Sequence, residues 1–199
     1  SAYTEIHGNP DLKPYSYYNV NLMWQVKRRY TLTAFASLKP DYSVQLSYQT
    51  TDRMAVIMKE TNFNYVNTFG LQASAIFRAG KWLNGNVFAA GIYKHDKSNH
   101  FFDLPFDRQK LSAVLGGTAS IKLCNTQDVR LILNPFFQSK VIQGVYDVSP
   151  IFRMNAKLQW SSHDGKWGLR INGSNIFNSK ADTRSVQGNQ DYRMKINND

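Results

Sequence analysis

The residue types that do chemistry are few in this 199-residue chain and poorly placed for it. Its four histidines, His7, His95, His100 and His163, fall in stretches that read as loops or termini. His95 and His100, with Asp96 and Asp103 beside them, are the ligand types a metal takes, but a loop imposes no coordination geometry. Glu5 and Glu60 are the only glutamates, so a carboxylate pair for glycoside chemistry would have to come from loop aspartates. No G-x-S-x-G elbow, H-E-x-x-H helix or phosphate-cradling glycine loop occurs in the sequence. Gly116-Gly117 sits inside an alternating run and reads as a kink or a point of close packing. Asn172-Gly173-Ser174 matches a glycosylation sequon, but in mid-strand. Cys124, the one cysteine, ends an apolar alternation and reads as a small hydrophobe with no disulfide partner. The expectation is a protein that is not an enzyme, with no catalytic, cofactor-binding or metal residue and no identifiable ligand-binding residue.

The elements that would position any site are strands. From Leu111 to Leu123 the odd positions are apolar or small and the even ones mostly polar (Ser112, Thr118, Ser120, Lys122). A helix would scatter those apolar residues around its axis, whereas a strand collects them on one face. Phe152–Trp160, Val20–Val26 and Phe69–Phe77 repeat the pattern, although Ile76 interrupts the polar side of the last. Turn chemistry falls between these runs at Lys27-Arg28-Arg29, Thr51-Asp52-Arg53, Ala79-Gly80-Lys81, Asn125–Asp128 and His163–Lys166. Asp164-Gly165 is the strongest of these signals, because a tight hairpin needs the positive φ that glycine supplies. Strands are expected at about 15–27, 30–49, 53–65, 67–79, 84–96, 108–124, 128–143, 147–162 and 166–177, with a short tenth near 191–196. Pro40 demotes the middle of the second to a bulge or splits it. His95–Arg108 and Lys180–Asp191 read as loops. The fold class is all-β: an antiparallel up-and-down meander of nine or ten strands in a barrel or partial barrel, residues 1–199 forming one domain. Several strands run to a dozen residues, against about 5–6 in ordinary sheets, and short turns join them without helical crossovers.

Composition narrows the environment. Apolar residues make up 42% and aromatics 14%, while mean hydropathy is -0.45, too polar for a bundle of membrane helices. No stretch approaches the roughly 20 apolar residues of a spanning helix, but a barrel strand needs only about 9–11, every second one apolar. Trp24 and Trp160 lie near strand ends, and Trp82 and Trp167 open strands after turns, as interfacial girdle residues do. The formal charge is +10, from 24 basic and 14 acidic residues. That excess favours a polyanion, nucleic acid or the phosphates of outer-leaflet lipid, and otherwise reads as a basic surface or a cation-lined lumen. The cations are spread over many segments, with Lys27-Arg28-Arg29 the only run. Nucleic acid is not expected as a partner.

Gly8-Asn9-Pro10-Asp11-Leu12-Lys13-Pro14 resembles the G-N-P-x-L-K-P segment of TonB-dependent receptors, where it precedes a later barrel strand. Its prolines fix φ, Asn-Pro favours a turn and Leu12 is placed to anchor the loop. Leu169 to Asn178 resembles the strand that carries those receptors' N-L-F-N motif near their C-terminus. The order and separation fit the second half of such a barrel, and the texture is most similar to the large receptors of Bacteroidetes. The resemblance implies an outer-membrane wall for uptake of a large nutrient (a glycan, peptide or metal chelate). It implies lipid and lipopolysaccharide around the wall, and a TonB-type energy-coupling partner acting through a plug region that this sequence lacks. The family's terminal aromatic is missing as well, so a fragment of a larger barrel is expected. Its first and last strands carry few defences, so they are expected to pair with each other or with another chain. The alternative is a soluble β-barrel module holding an apolar ligand in its lumen, with Ala113, Gly117 and Ala119 leaving the space.

Overall fold

The computed structural model describes residues 3–49, 55–102, 104–185 and 193–196. Fifteen strands appear and no helix among them: β1 Tyr3–His7, β2 Tyr18–Val26, β3 Tyr30–Pro40, β4 Ser43–Gln49, β5 Ala55–Asn62, β6 Tyr65–Ala79, β7 Leu83–Ser98, β8 Phe106–Lys122, β9 Asp128–Gln138, β10 Val141–Gln143, β11 Tyr146–Val148, β12 Ile151–Ser161, β13 Gly168–Gly173, β14 Ala181–Ser185 and β15 Arg193–Ile196. Eight of them form one antiparallel sheet in the order β13-β12-β9-β8-β7-β6-β3-β2. This meander is the wall. β4 and β5 pair between β3 and β6, and the short β10 and β11 pair between β9 and β12, so both excursions leave the wall at the same end. β1 joins β5 in parallel, and β14 and β15 extend the sheet begun by β10 and β11. These pieces make a cap at one rim.

The alternating runs give the wall, and the irregular stretches give the cap. Pro40 ends β3, Asp41 takes a positive φ of 50°, and the expected 30–49 strand becomes β3 and β4. The 128–143 and 147–162 strands each split as well, because the short β10 and β11 fold away from the wall. His95–Arg108 is not all loop, since β7 runs through Ser98 and β8 begins at Phe106. Part of Lys180–Asp191 is the strand β14, held by β11 through Asp147 opposite Arg184. It alternates too weakly to be read alone. β1 is likewise not legible in the sequence. The expected turn at Thr51-Asp52-Arg53 lies outside the described residues.

The cross-strand pairing settles which residues share a face. Leu32, Ala73, Ala89, Leu115, Phe137 and Phe152 stand in one row across six strands, and the rows two residues away are equally apolar. Leu115, Ala119 and Ile121 lie on this face, with Ser120 and Lys122 on the other, as the alternation requires. Two phenyl rings of the polar face cover a glycine directly opposite: Phe35 over Gly70 and Phe88 over Gly116. A Cβ at Gly116 would stand 2.7 Å from Phe88 Cζ, so this glycine is a packing site rather than a kink.

The four tight turns, 27–29, 80–82, 123–127 and 162–167, all lie at the end opposite the cap. Their stagger measures the tilt of the strands. Val26 opposite Tyr30, the base of the first hairpin, projects through Ala75 and Val87 onto Gly117 of β8. Ser161 opposite Gly168, the base of the last, projects through Asp128 onto position 124, two rows beyond Lys122. That offset is about seven residues over six strand spacings, or roughly 24 Å against 29 Å, so the turns share one plane if the strands tilt by about 40°. Membrane barrels tilt by this amount.

Candidate functional site

The wall presents two chemically opposite faces. On the apolar face the belt runs from Leu111 to Ile121 on β8 and over the paired Tyr93 to Leu83 on β7. Ten residue steps at about 3.4 Å, tilted by about 40°, span roughly 26 Å, close to the height of an outer-membrane apolar band. All four tryptophans sit at its tight-turn edge: Trp24 in β2, Trp82 and Trp167 in turns, and Trp160 near the end of β12. Tyr18, Tyr65 and Tyr93 sit at the opposite edge. The belt is exposed along its length, Leu22 at 70% and Leu111 at 71%. A trough of about 800 Å³ crosses it from Trp24 to Phe152, floored by Ala73, Ala75 and Ala89. An apolar-ligand module would use this trough, whose floor differs from the Ala113, Gly117 and Ala119 expected.

The polar face carries almost all of the sheet's charge. Lys39 of β3, Arg78 of β6, Lys94 of β7 and Arg108, Lys110 and Lys122 of β8 point to it. So do Arg130 of β9, Arg153 and Lys157 of β12 and Arg170 of β13. Its only acids are Asp96 and Asp128, held by Lys94 at 3.0 Å and Arg130 at 3.1 Å. Ten cations thus meet two acids. At the tight-turn end Arg170, Gln159, Arg130 and Lys122 stand side by side on four strands, and a polar cleft of about 310 Å³ opens between Arg130 and Arg170. The cations scattered in sequence were therefore one surface. The signal was their shared parity with the polar side of each alternation, and only strand pairing joins those parities.

The cap folds inward over this polar face. Gly144 donates its N–H to Asp96 at 3.0 Å, and Asp96 is 1% exposed. Lys94 reaches the Ile142 carbonyl, Ser112 the Lys140 carbonyl and Arg108 the Gly144 carbonyl, each at 3.0 Å. Arg108 also pairs with Asp147, which Lys140 meets from the other side at 2.5 Å. Burial works to raise the Asp147 carboxyl, but hydrogen bonds from Lys140 and Arg108 outweigh it and hold it below the ordinary carboxylate range. Tyr146 donates its hydroxyl to the Ser47 carbonyl, tying the two cap sheets together. Beneath lies the buried cluster of Leu46, Tyr48, Phe63, Val66, Phe101, Phe106, Val145 and Tyr146.

The residues singled out for chemistry are not brought together. His7 meets Glu5 at 2.9 Å on the exposed β1. His95 faces the apolar side, packed edge-on against Tyr65 and 2.5 Å from Asp107, while Asp96 points to the opposite face. His100 borders a polar cleft with Asn9 and Lys59, and His163 lies in a turn. Asp103 is outside the described residues. Among the described residues no three His, Cys, Asp or Glu cluster as metal ligands do. Cys124 lies in the β8–β9 turn with its Sγ 3.1 Å from Thr126 Oγ1, a hydrogen bond that holds the thiol below its ordinary pKa.

In the Gly8–Pro14 segment Leu12 is exposed and anchors nothing; Asn9 bonds the Glu60 carbonyl at 2.8 Å, and Asn62 bonds both the N–H and carbonyl of Lys13. The turn itself forms, with Leu12 N–H on the Asn9 carbonyl at 3.3 Å. Asn175-Ile176-Phe177-Asn178 is not strand: Asn175 and Asn178 take positive φ, and Phe177 stacks on Phe152 at 5.9 Å. Nor do the edges pair with each other, for β2 bonds only β3 and β13 only β12 among the described residues. Closing eight strands would crowd ten cations into a lumen just wide enough for packed side chains.

Long tilted strands, an apolar band of membrane height and tight turns at one end describe an outer-membrane wall, and the family comparison agrees. Comparison with curated proteins and with solved structures returned no match. The family model of the outer membrane protein β-barrel family matches residues 1–199. The chain belongs to the outer membrane protein β-barrel family, and its place is the outer membrane.

Proposed function

We propose that the chain is part of the wall of a TonB-dependent receptor that takes up a large nutrient, a glycan, peptide or metal chelate. The observation that carries this reading is the cap. A diffusion pore needs an open mouth, whereas here β10 and β11 are pinned over the polar face by Asp96, Arg108 and Asp147. A mouth built as a packed platform suits a receptor that recognises its cargo. The Gly8–Pro14 and Asn175–Asn178 segments add the sequence resemblance. In this reading the cap faces outward, because barrel turns are short on the periplasmic side and loops longer outside. Lipopolysaccharide then meets the upper rim of the belt, near Lys97 and His95. Backbone groups of β2 and β13 find no water in a bilayer core, so further strands pair with both edges and complete a larger barrel. A TonB-type partner supplies the energy, and no catalytic step is assigned to the chain.

Deletion of the whole gene tests this in the native bacterium. Growth on one defined glycan, peptide or ferric chelate as limiting source should fail, return with the gene, and stop when a protonophore collapses the inner-membrane gradient. Uptake that ignores the protonophore and admits small neutral solutes alike would replace the receptor by a passive pore.

A further inference from the structure

We infer that the polar face of the wall is a track for anionic solutes, presenting cations from the cap to the periplasmic end. This rests on that face lining the lumen, and it adds the chemical class of the cargo: carboxylate- or phosphate-bearing. Three observations carry it. The charge is one-sided, since the apolar face of the sheet holds only Lys97, Asp107 and His95. It is in excess, since Asp96, Asp147 and Asp128 pair with Lys94, Arg108 and Arg130 and so answer three of the ten cations. It also recurs along the wall, at Lys94 opposite Lys110 near the cap, at Arg153 and Lys157 farther down, and at Arg130 and Arg170 near the tight turns. Like charges directly opposed on paired strands destabilise a sheet. A wall that keeps them has a use for the field, which concentrates counter-ions in a low-dielectric cleft. The amides and hydroxyls between the cations suit a polar, multiply hydrogen-bonding anion: Asn155 pairs with Asn134, whose amide bonds Thr118 at 2.7 Å. The cleft between Arg130 and Arg170, with Gln159 at its centre, is where such an anion would leave the track.

Thiol-modification rates test this on the full-length protein in proteoliposomes. Cys124→Ser, with every cysteine elsewhere in the full-length protein likewise replaced by serine, removes the native thiols, Gln159→Cys places one on the track and Leu115→Cys one on the apolar face. A sulfonate-bearing thiosulfonate should modify Gln159→Cys about tenfold faster than its trimethylammonium analogue, each rate divided by that with a free thiol. Added Arg130→Gln and Arg170→Gln, or high salt, should bring the ratio toward one, and millimolar citrate should slow the reaction where glucose does not. Equal rates for the two reagents would overturn the anion track while leaving the barrel wall intact. A Gln159→Cys reached only by a membrane-dissolved maleimide, as Leu115→Cys should be, would reverse the faces and overturn both readings. A Gln159→Cys that no reagent reaches would mean that polypeptide fills the lumen there, which also rejects a solute track.

Discussion

The wall and the cap both carry aromatic and aliphatic residues, yet burial is concentrated in the cap and where the wall strands meet it, at Val66, Phe106 and Ile151. Phe101 is fully buried, at 5.9 Å from Phe106 and 6.1 Å from Phe63 in edge-on contacts, while Leu22, Leu71 and Leu111 of the wall lie bare. In water, burial of apolar area stabilises the cap alone. The wall holds its shape through its ladders of backbone hydrogen bonds, and its apolar face is stabilised only when lipid replaces water. The difference teaches that two solvents select two patterns in one chain. Strict alternation suits the wall, which has a different medium on each face, and clustered aromatics suit a cap that must make its own interior.

The largest expected effect breaks the cap and spares the wall. Phe101→Ala should destabilise the cap by about 3–5 kcal/mol. Hydrogen exchange would show lost protection at 142–148 with β6 to β9 unchanged, and loss of protection throughout would mean that cap and wall fold as one unit. Next comes the wall, where a cation's cost should follow depth. Leu115→Arg lies near the middle of the belt and should cost about 2–4 kcal/mol in a reversible membrane-folding assay. Leu158 is on the same face but only three residues above its turn, so Leu158→Arg should cost about 1 kcal/mol, and Gln159→Arg close to none. Equal costs for all three would contradict the facing.

Acid should separate the two regions more gently. Asp147 is held below its ordinary pKa, so its contribution is complete above about pH 4 and is lost as pH falls through the lowered value. Proteolysis within 140–148 should rise below that range, and Asp147→Asn should remove this acid dependence while costing about 2 kcal/mol at neutral pH. The smallest effect is a gain. Lys27 and Arg28 both take a φ of 51° in the first hairpin turn, where Asn-Gly is the favoured pair. Lys27→Asn with Arg28→Gly should stabilise the hairpin by about 1 kcal/mol, read as slower unfolding of the wall from lipid.

Several residues show how far the sequence could be read. The alternation from Leu111 to Leu123 located β8 and both its faces, because side-chain direction in a strand follows from backbone geometry alone. Asp164-Gly165 and Gly80 located turns for an equally local reason: Gly80 and Gly165 adopt the positive φ those turns need. Asp96 could not be read. Its neighbour His95 made it a metal candidate, yet the pleat sends the two to opposite faces, and its partner Gly144 is 48 residues away.

By itself, then, the sequence determined the period, the strands of the wall, the tight turns and the aromatic edges, all set by interactions within a few residues. Only the tertiary structure decided that cations on seven strands form a single face, that short strands after Gln138 turn inward to cap it, and that the hairpin ends step by a tilt of about 40°. Those properties depend on register. Strand pairing fixes register through contacts between residues far apart in the chain, and no local pattern specifies it.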